Sequence, residues 1–298
     1  MKKIIILSIY FSLLLIAYDG KKDTVTDNKQ AATDSLRFKN GYADVNGIKM
    51  YYEIYGEGFP LVLIHGGGST IQSSFGRIIP YLAKHRQLIA VELQAHGRTA
   101  DRNADLSFEQ DAADVVILLN NLNISKADIF GFSNGGQTAI EIGIHYPDIV
   151  NKLIIASAFH KRNAISPEFW EGFNHVLLKD MPQVLQKAQL DVNGNDTVAL
   201  QNSFNKDVKR MKAFKGWTDE QLKSIKAPAL IISADKDASS PESTVEMYRL
   251  IPHSRLAFFP GIHGAYIIAE ESISSEDDKS TRPLATEVIE RFLDEPYP

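Results

Sequence analysis

The chain has 298 residues, 44% of them hydrophobic, enough to bury a large core either as one α/β domain with an insertion or as two domains. Its 37 acidic and 32 basic residues give a formal charge of −5, and no basic block of useful length occurs, which argues against a nucleic-acid partner. The absence of cysteine excludes disulfides, thiolate metal sites, a cysteine nucleophile and a lipid-modified cysteine.

Residues 1–18 read as an export signal or an N-terminal anchor. Met1-Lys2-Lys3 is a basic start, and Ile4 to Ala17 is apolar over about 14 residues, short of the roughly 20 that a membrane span needs. No clean small-x-small cleavage site follows, since Ala17 is succeeded by Tyr18 and Asp19. The leader resembles that of a bacterial lipoprotein without its acceptor cysteine; a buried N-terminal strand or helix is the other reading. Export is therefore expected (periplasmic, secreted or membrane-anchored), with membrane association through this segment. Residues 19–38 read as a disordered linker, because Lys21 to Ser35 is polar and lacks hydrophobic period. Residues 39–298 then form the folded domain.

Within it, Ile48–Ile54 alternates as a strand and is closed by Gly56 and Gly58. Leu61–Ile64, Leu88–Val91, Leu153–Ala156 and Leu230–Ile232 are short continuous apolar runs, the pattern of strands buried on both faces. Ser107 with Gln110 suggests a capping box opening a helix over Phe108–Asn121. A second helix covers Gln137–His145 before Pro147, and the last covers Leu284–Leu293. Strands alternating with helices predict an α/β fold, a mostly parallel, doubly wound sheet of about eight strands. About seventy residues between the strands at Ile155 and Ile231 carry helical period and no good strand. This stretch, at about 160–226, is expected to form a helical cap. Phe169, Trp170, Phe173, Val176, Leu177, Leu178, Phe204, Met211, Phe214 and Trp217 divide between its core and a ligand-facing surface in a way the sequence does not sort.

Gly131-Phe132-Ser133-Asn134-Gly135-Gly136 follows the apolar run Ala127–Phe130 and precedes a helix. A strand, a sharp turn and a helix expose the serine hydroxyl in a strained backbone that only small neighbours tolerate. A serine needs a base, a group orienting that base, and donors for the developing oxyanion. Of eight histidines, His85, His145, His160, His175 and His253 have no special sequence neighbours. His263 lies in the glycine-flanked loop Pro260-Gly261-Ile262-His263-Gly264 after an apolar run, and is the candidate base. Two aspartates, Asp235 and Asp237, follow the strand at Leu230–Ile232.

These motifs resemble the α/β-hydrolase superfamily, in its serine-nucleophile, capped, esterase-like branch, over roughly Gly41 to Leu293. There the acid is commonly the second aspartate of D-x-D with proline four residues on, which the resemblance places at Asp237, before Pro241, with Asp235 a turn-stabilising neighbour. The alternative acid position, after the preceding strand, here reads Ser157-Ala158-Phe159 and has no carboxylate. His65-Gly66-Gly67-Gly68 resembles the family's oxyanion loop, which implies Gly67 N–H and Asn134 N–H as donors and a structural role for His65. Glu92 to Thr99 resembles the D-x-x-G-x-G-x-S loop, with Glu92, Ala95 and Thr99 departing from it.

The resemblance implies acyl transfer by Ser133, His263 and Asp237 with no metal or organic cofactor. Its partner would be a small-molecule ester, small or medium and apolar. A carbon–carbon bond hydrolase or lactonase with the same triad is the enzymatic alternative, and a non-catalytic binding protein on this fold is the other class. Asp191 to Asp196 faintly suggests a calcium loop, but its glycine stands fourth instead of sixth and the twelfth position is Asn202, so it reads as a surface turn. Oligomeric state is not read from the sequence.

Overall fold

The continuous apolar runs become interior strands because a strand sends alternate side chains to opposite faces, and here both faces are covered. The computed structural model describes residues 37–272 and 282–296. β1 (Phe38–Val45) and β2 (Ile48–Tyr55) form a hairpin, followed by β3 (Phe59–Ile64), α1 (Ile71–Phe75), α2 (Ile79–Leu82) and β4 (Arg86–Val91). Next come α3 (Phe108–Asn121), β5 (Ala127–Phe132), α4 (Asn134–His145) and β6 (Val150–Ala156). The insertion supplies α5 (Pro167–Gly172), α6 (Gln183–Val192), α7 (Thr197–Ala213) and α8 (Asp219–Lys223) before β7 (Ala229–Lys236), α9 (Pro241–Leu250), β8 (Ser254–Ile262) and α10 (Arg282–Asp294).

The eight strands lie in the order β1-β2-β4-β3-β5-β6-β7-β8. β1 pairs with β2, and β2 with β4, antiparallel; the remaining pairings are parallel. Val62, Ile64, Ile129, Leu153, Ile155 and Ile231 join one core with α3, α4 and the aromatics of the insertion. Leu61, Leu63, Phe130, Ile154, Leu230 and Ile232 join the other, beneath α1, α2 and α10. Two separate cores on one sheet are what a doubly wound α/β architecture requires.

Several expectations are adjusted. The linker expected over 19–38 overlaps the sheet at its end, since Phe38 opens β1 and pairs with Tyr55. Most of β1 is solvated, as befits an edge strand, so it carries no apolar run to be read. The rest of that linker and the leader lie outside the described residues. Ser107 accepts from the Gln110 N–H at 3.1 Å, but the Gln110 amide donates to Asp114 Oδ1 instead of closing a capping box. In the segment 191–196, Asp191 and Val192 end α6 and residues 193–196 turn into α7, where Asp196 Oδ1 accepts from the N–H groups of Val198 and Ala199. Among the described residues, no helix is long and apolar enough to cross a membrane.

Candidate active site

The sheet delivers its serine through a forced turn. Ser133 joins β5 to α4 at φ 53°, ψ −123°, a conformation costly for a residue with a side chain. A Cβ on Gly131 would lie 2.0 Å from Gly135 O, and one on Gly135 would lie 2.0 Å from Ile64 O. Glycine is therefore required on both sides, where the elbow folds back on its own helix and on β3. Ser133 N–H donates to Ala156 O at 2.9 Å, tying the turn to β6.

His263, just beyond β8, faces the serine. Its Nε2 is 3.1 Å from Ser133 Oγ and its Nδ1 is 2.6 Å from Asp237 Oδ1. A carboxylate accepts only, so Nδ1 carries the proton and Nε2 is left to accept from the Ser133 hydroxyl. Asp237 follows β7 and is held by five donors. Oδ1 accepts from His263 and from Ala238 N–H at 2.7 Å; Oδ2 accepts from Ser157 Oγ at 2.5 Å and from Ser233 Oγ and Ala234 N–H at 3.2 Å each. Burial alone would raise the Asp237 pKa, but the facing His263 and these hydrogen bonds hold it down at about 2. Burial likewise opposes charging of His263, yet the Asp237 carboxylate raises its pKa above the usual value. Asp235 sits apart from this chain of contacts: its Oδ1 accepts from Gly261 N–H at 2.7 Å, bracing the loop that carries His263.

The glycine loop after β3 lies across the same cavity. His65 is fully buried, donating from Nδ1 to Gly66 O at 2.7 Å and accepting at Nε2 from Leu93 N–H at 3.0 Å. Burial, with the neighbouring His96, lowers its pKa to about 3, so it is a neutral structural link between two loops. Within the described residues, no hydrogen bond uses the N–H of Gly67 or of Asn134. The Asn134 side chain is 2% exposed, and its Oδ1 has no partner among the described residues. It packs against Gly67, where a Cβ would come within 2.3 Å of Nδ2.

Phe173, Met181, Leu185, Phe204, Val208 and Met211, all from the insertion, line the cavity that Ser133, Asn134, Gly67 and His263 share. The insertion's aromatics thus divide as the sequence could not. Phe173, Phe204 and Met211 face the cavity, whereas Trp170, Phe214 and Trp217 pack into the core above the sheet and Leu177 is exposed.

Sequence reasoning passed over several residues. Ser157 gives its one hydroxyl proton to Asp237, so the buried Tyr266 hydroxyl, 2.8 Å away, must donate to Ser157. The position after β6 that lacks a carboxylate thus still contacts Asp237. His160, read as having no special neighbours, is completely buried; burial lowers its pKa to about 4. Asp207 and Glu271 also line the cavity, and burial raises the Glu271 pKa to about 7. Asp207 sits at an ordinary buried helical spacing, and only the fold brings it to the glycine loop.

A family model described as alpha/beta hydrolase fold matches residues 60–205, which span the glycine loop, the elbow and most of the insertion. The chain belongs to the α/β-hydrolase superfamily. The human serine hydrolase BPHL is 29% identical over 75% of this chain and 79% of its own length. The 2-hydroxy-6-oxo-6-(2'-aminophenyl)hexa-2,4-dienoic acid hydrolase of Metapseudomonas resinovorans is 22% identical over 76% of this chain and 82% of its own. Among solved structures, the enol-lactonase from Burkholderia xenovorans LB400 superposes with a TM-score of 0.66 at 23% identity, covering 86% of this chain and all of that one. This α/β-hydrolase is an enzyme, a hydrolase by family and by relatives, which sets aside the non-catalytic reading. Metal ligation has no candidate among the described residues: no group of three or more His, Cys, Asp or Glu is placed to hold an ion.

Proposed function

We propose that this hydrolase cleaves small or medium carboxylic esters through an acyl-enzyme on Ser133. The observation that carries the reading is the continuous run of contacts from Ser133 Oγ to His263 Nε2 at 3.1 Å and from His263 Nδ1 to Asp237 Oδ1 at 2.6 Å. His263 takes the serine proton as Oγ attacks the ester carbonyl, and the Gly67 and Asn134 N–H groups receive the oxyanion. The proton then passes from His263 to the leaving alcohol. Water, deprotonated by the same imidazole, releases the acid.

The second reading is carbon–carbon or lactone hydrolysis, which the names of the dienoic acid hydrolase and the enol-lactonase favour. The cavity weighs against an acidic substrate. Its described lining contains no lysine or arginine, and Asp207 and Glu271 both lie there, so a substrate carboxylate would be buried without a counter-charge. A neutral ester or lactone meets no such penalty.

A fluorophosphonate probe tests the nucleophile: wild type should be labelled on Ser133, and Ser133→Ala should not. Absent or equal labelling would sink the serine mechanism. A screen of esters by acyl chain length, run beside lactones and a dienoic-acid substrate, separates the two readings, and preference for the dienoic acid would overturn the first. Export through residues 1–18 belongs to the same proposal, since the leader lies outside the described residues. Cell fractionation checks it, and a cytoplasmic pool that retains Met1 would contradict it.

A further inference from the structure

Two side chains of the insertion each bridge the same pair of loops beneath it. Asp207, on α7, accepts at Oδ2 from Gly68 N–H at 2.7 Å, and the same oxygen faces His96 Nε2 at 2.8 Å. Gln189, on α6, accepts at Oε1 from Gly97 N–H at 2.7 Å and donates from Nε2 to Ser69 O at 3.2 Å. The glycine loop and the 92–99 loop are therefore held to each other through the insertion. Asp207 is itself fixed from behind: Arg210 donates to its Oδ1 at 2.5 Å and to Asp111 Oδ2 at 2.6 Å. His96, Arg210, Asp111 and Asp207 are all buried. His96 Nδ1 faces Gln94 O at 2.9 Å, and Nε2 faces both the carboxylate and, at 3.2 Å, Gly68 N–H; burial opposes charging of this ring, but the Asp207 carboxylate raises its pKa above the usual value. Arg210 thus lies between the carboxylates of Asp111 and Asp207, which is how a buried cluster of this size avoids an uncompensated charge.

The consequence falls on the glycine loop. Gly68 has a positive φ of 64°, so the peptide between Gly67 and Gly68 has no local preference strong enough to fix its direction. Asp207 takes up the Gly68 N–H and so turns that peptide towards the insertion. The Gly67 N–H, one peptide earlier, is left without an acceptor among the described residues. We infer that Asp207 is a positioning residue for the oxyanion hole: a side chain of the insertion, bonded to Gly68 N–H, sets the direction of the Gly67 donor. The inference rests on reading Gly67 as an oxyanion donor. It makes the insertion a structural part of the catalytic apparatus and more than a wall of the cavity.

Asp207→Asn and Gln189→Leu separate positioning from simple attachment, because both loosen the insertion and only the first alters the bond to Gly68. The readouts are kcat, KM and the affinity of an alkyl boronic acid, which forms a tetrahedral adduct on the serine and occupies the oxyanion hole. Complete loss of one oxyanion donor costs about 10²–10³ in kcat, so a misdirected donor in Asp207→Asn should cost about 10- to 100-fold. KM should stay within about threefold, and boronate affinity should fall in parallel with kcat. Gln189→Leu should melt earlier yet keep kcat within about threefold. Unchanged kcat and boronate affinity in Asp207→Asn would overturn the inference, as would an equal fall in Gln189→Leu. Should Asp207→Asn fail to fold, Asp207→Glu keeps the charge and moves the acceptor by one methylene, and the same split is expected of it. Boronate binding that wild type lacks altogether would sink the serine-hydrolase reading itself, whereas tight binding by wild type with no loss in the variant would sink only the role of Asp207.

Discussion

At the residue scale, the proposed serine mechanism makes the contacts of Asp237 and His263 the determinants of its pH behaviour. The base must be neutral to accept the serine proton, and Asp237 raises the His263 pKa against the effect of burial. The acid limb of a kcat/KM profile should therefore lie above the ordinary histidine value of about 6.5, with activity lost as pH falls through it. A limb below 6 would contradict the geometry. Asp237→Asn removes the acceptor that fixes the Nδ1–H tautomer, and ester turnover should fall by about 10⁴-fold. Among the described residues Asp235 accepts only from the Gly261 N–H, so Asp235→Asn should cost less than about tenfold. Equal losses would reverse the assignment of the two aspartates. Which aspartate contacts His263 was legible from chain order and from the spacing to Pro241 that the family resemblance supplies. The donors around it were not: Ser157 and Tyr266 reach Asp237 from β6 and from beyond β8, segments brought together only by strand order.

At the element scale, helix ends and turns decide what holds the sheet's helices in place. Lys152, on β6, donates from Nζ to the carbonyls of Phe292, Leu293 and Glu295 at 2.8, 2.7 and 2.6 Å, which closes the C-terminus of α10. These carbonyls have no intrahelical donors, so the ammonium satisfies groups the helix itself cannot. Lys152→Met should lower unfolding free energy by about 2 kcal/mol, read by denaturant titration, because charged hydrogen bonds are lost and acceptors stay buried. A change under about 0.5 kcal/mol would show that water replaces the lysine without penalty. The interior strands and α3 were readable because burial imposes a periodic pattern on them. β1 was missed because its residues are mostly solvated, although the turn that starts its hairpin was in view. Asn46 and Gly47 take φ of 43° and 84°, the two positive values that an Asn-Gly hairpin turn requires.

At the scale of the whole molecule, the insertion shares its core with the sheet. Trp170 stacks on Phe214 with ring centroids 6.1 Å apart, and Phe214 meets Phe159 at 5.2 Å and Phe108 at 5.9 Å. Phe159 follows β6 and Phe108 opens α3, so one aromatic cluster spans both parts. Both tryptophans of the chain, Trp170 and Trp217, belong to the insertion. Tryptophan fluorescence therefore reports the insertion, while far-ultraviolet circular dichroism reports every helix and strand. The two should follow one coincident unfolding transition. Phe214→Ala should destabilise both together by about 3–5 kcal/mol. An earlier fluorescence transition would mean that the insertion unfolds by itself.

The sequence by itself determined the α/β class, the glycine-flanked serine turn and the chain order of the candidate residues Ser133, Asp237 and His263. Each of these is written in local chemistry: an apolar run buried on two faces, glycines where backbones nearly touch, an aspartate and a histidine just past strand ends. Tertiary structure decided what no local pattern encodes. It sorted the insertion's aromatics between core and cavity, placed Ser157 and Tyr266 behind Asp237, and brought Asp207 139 residues along the chain onto Gly68. Those contacts depend on where distant elements dock, and docking is set by the packing of whole faces rather than by any stretch of neighbouring residues.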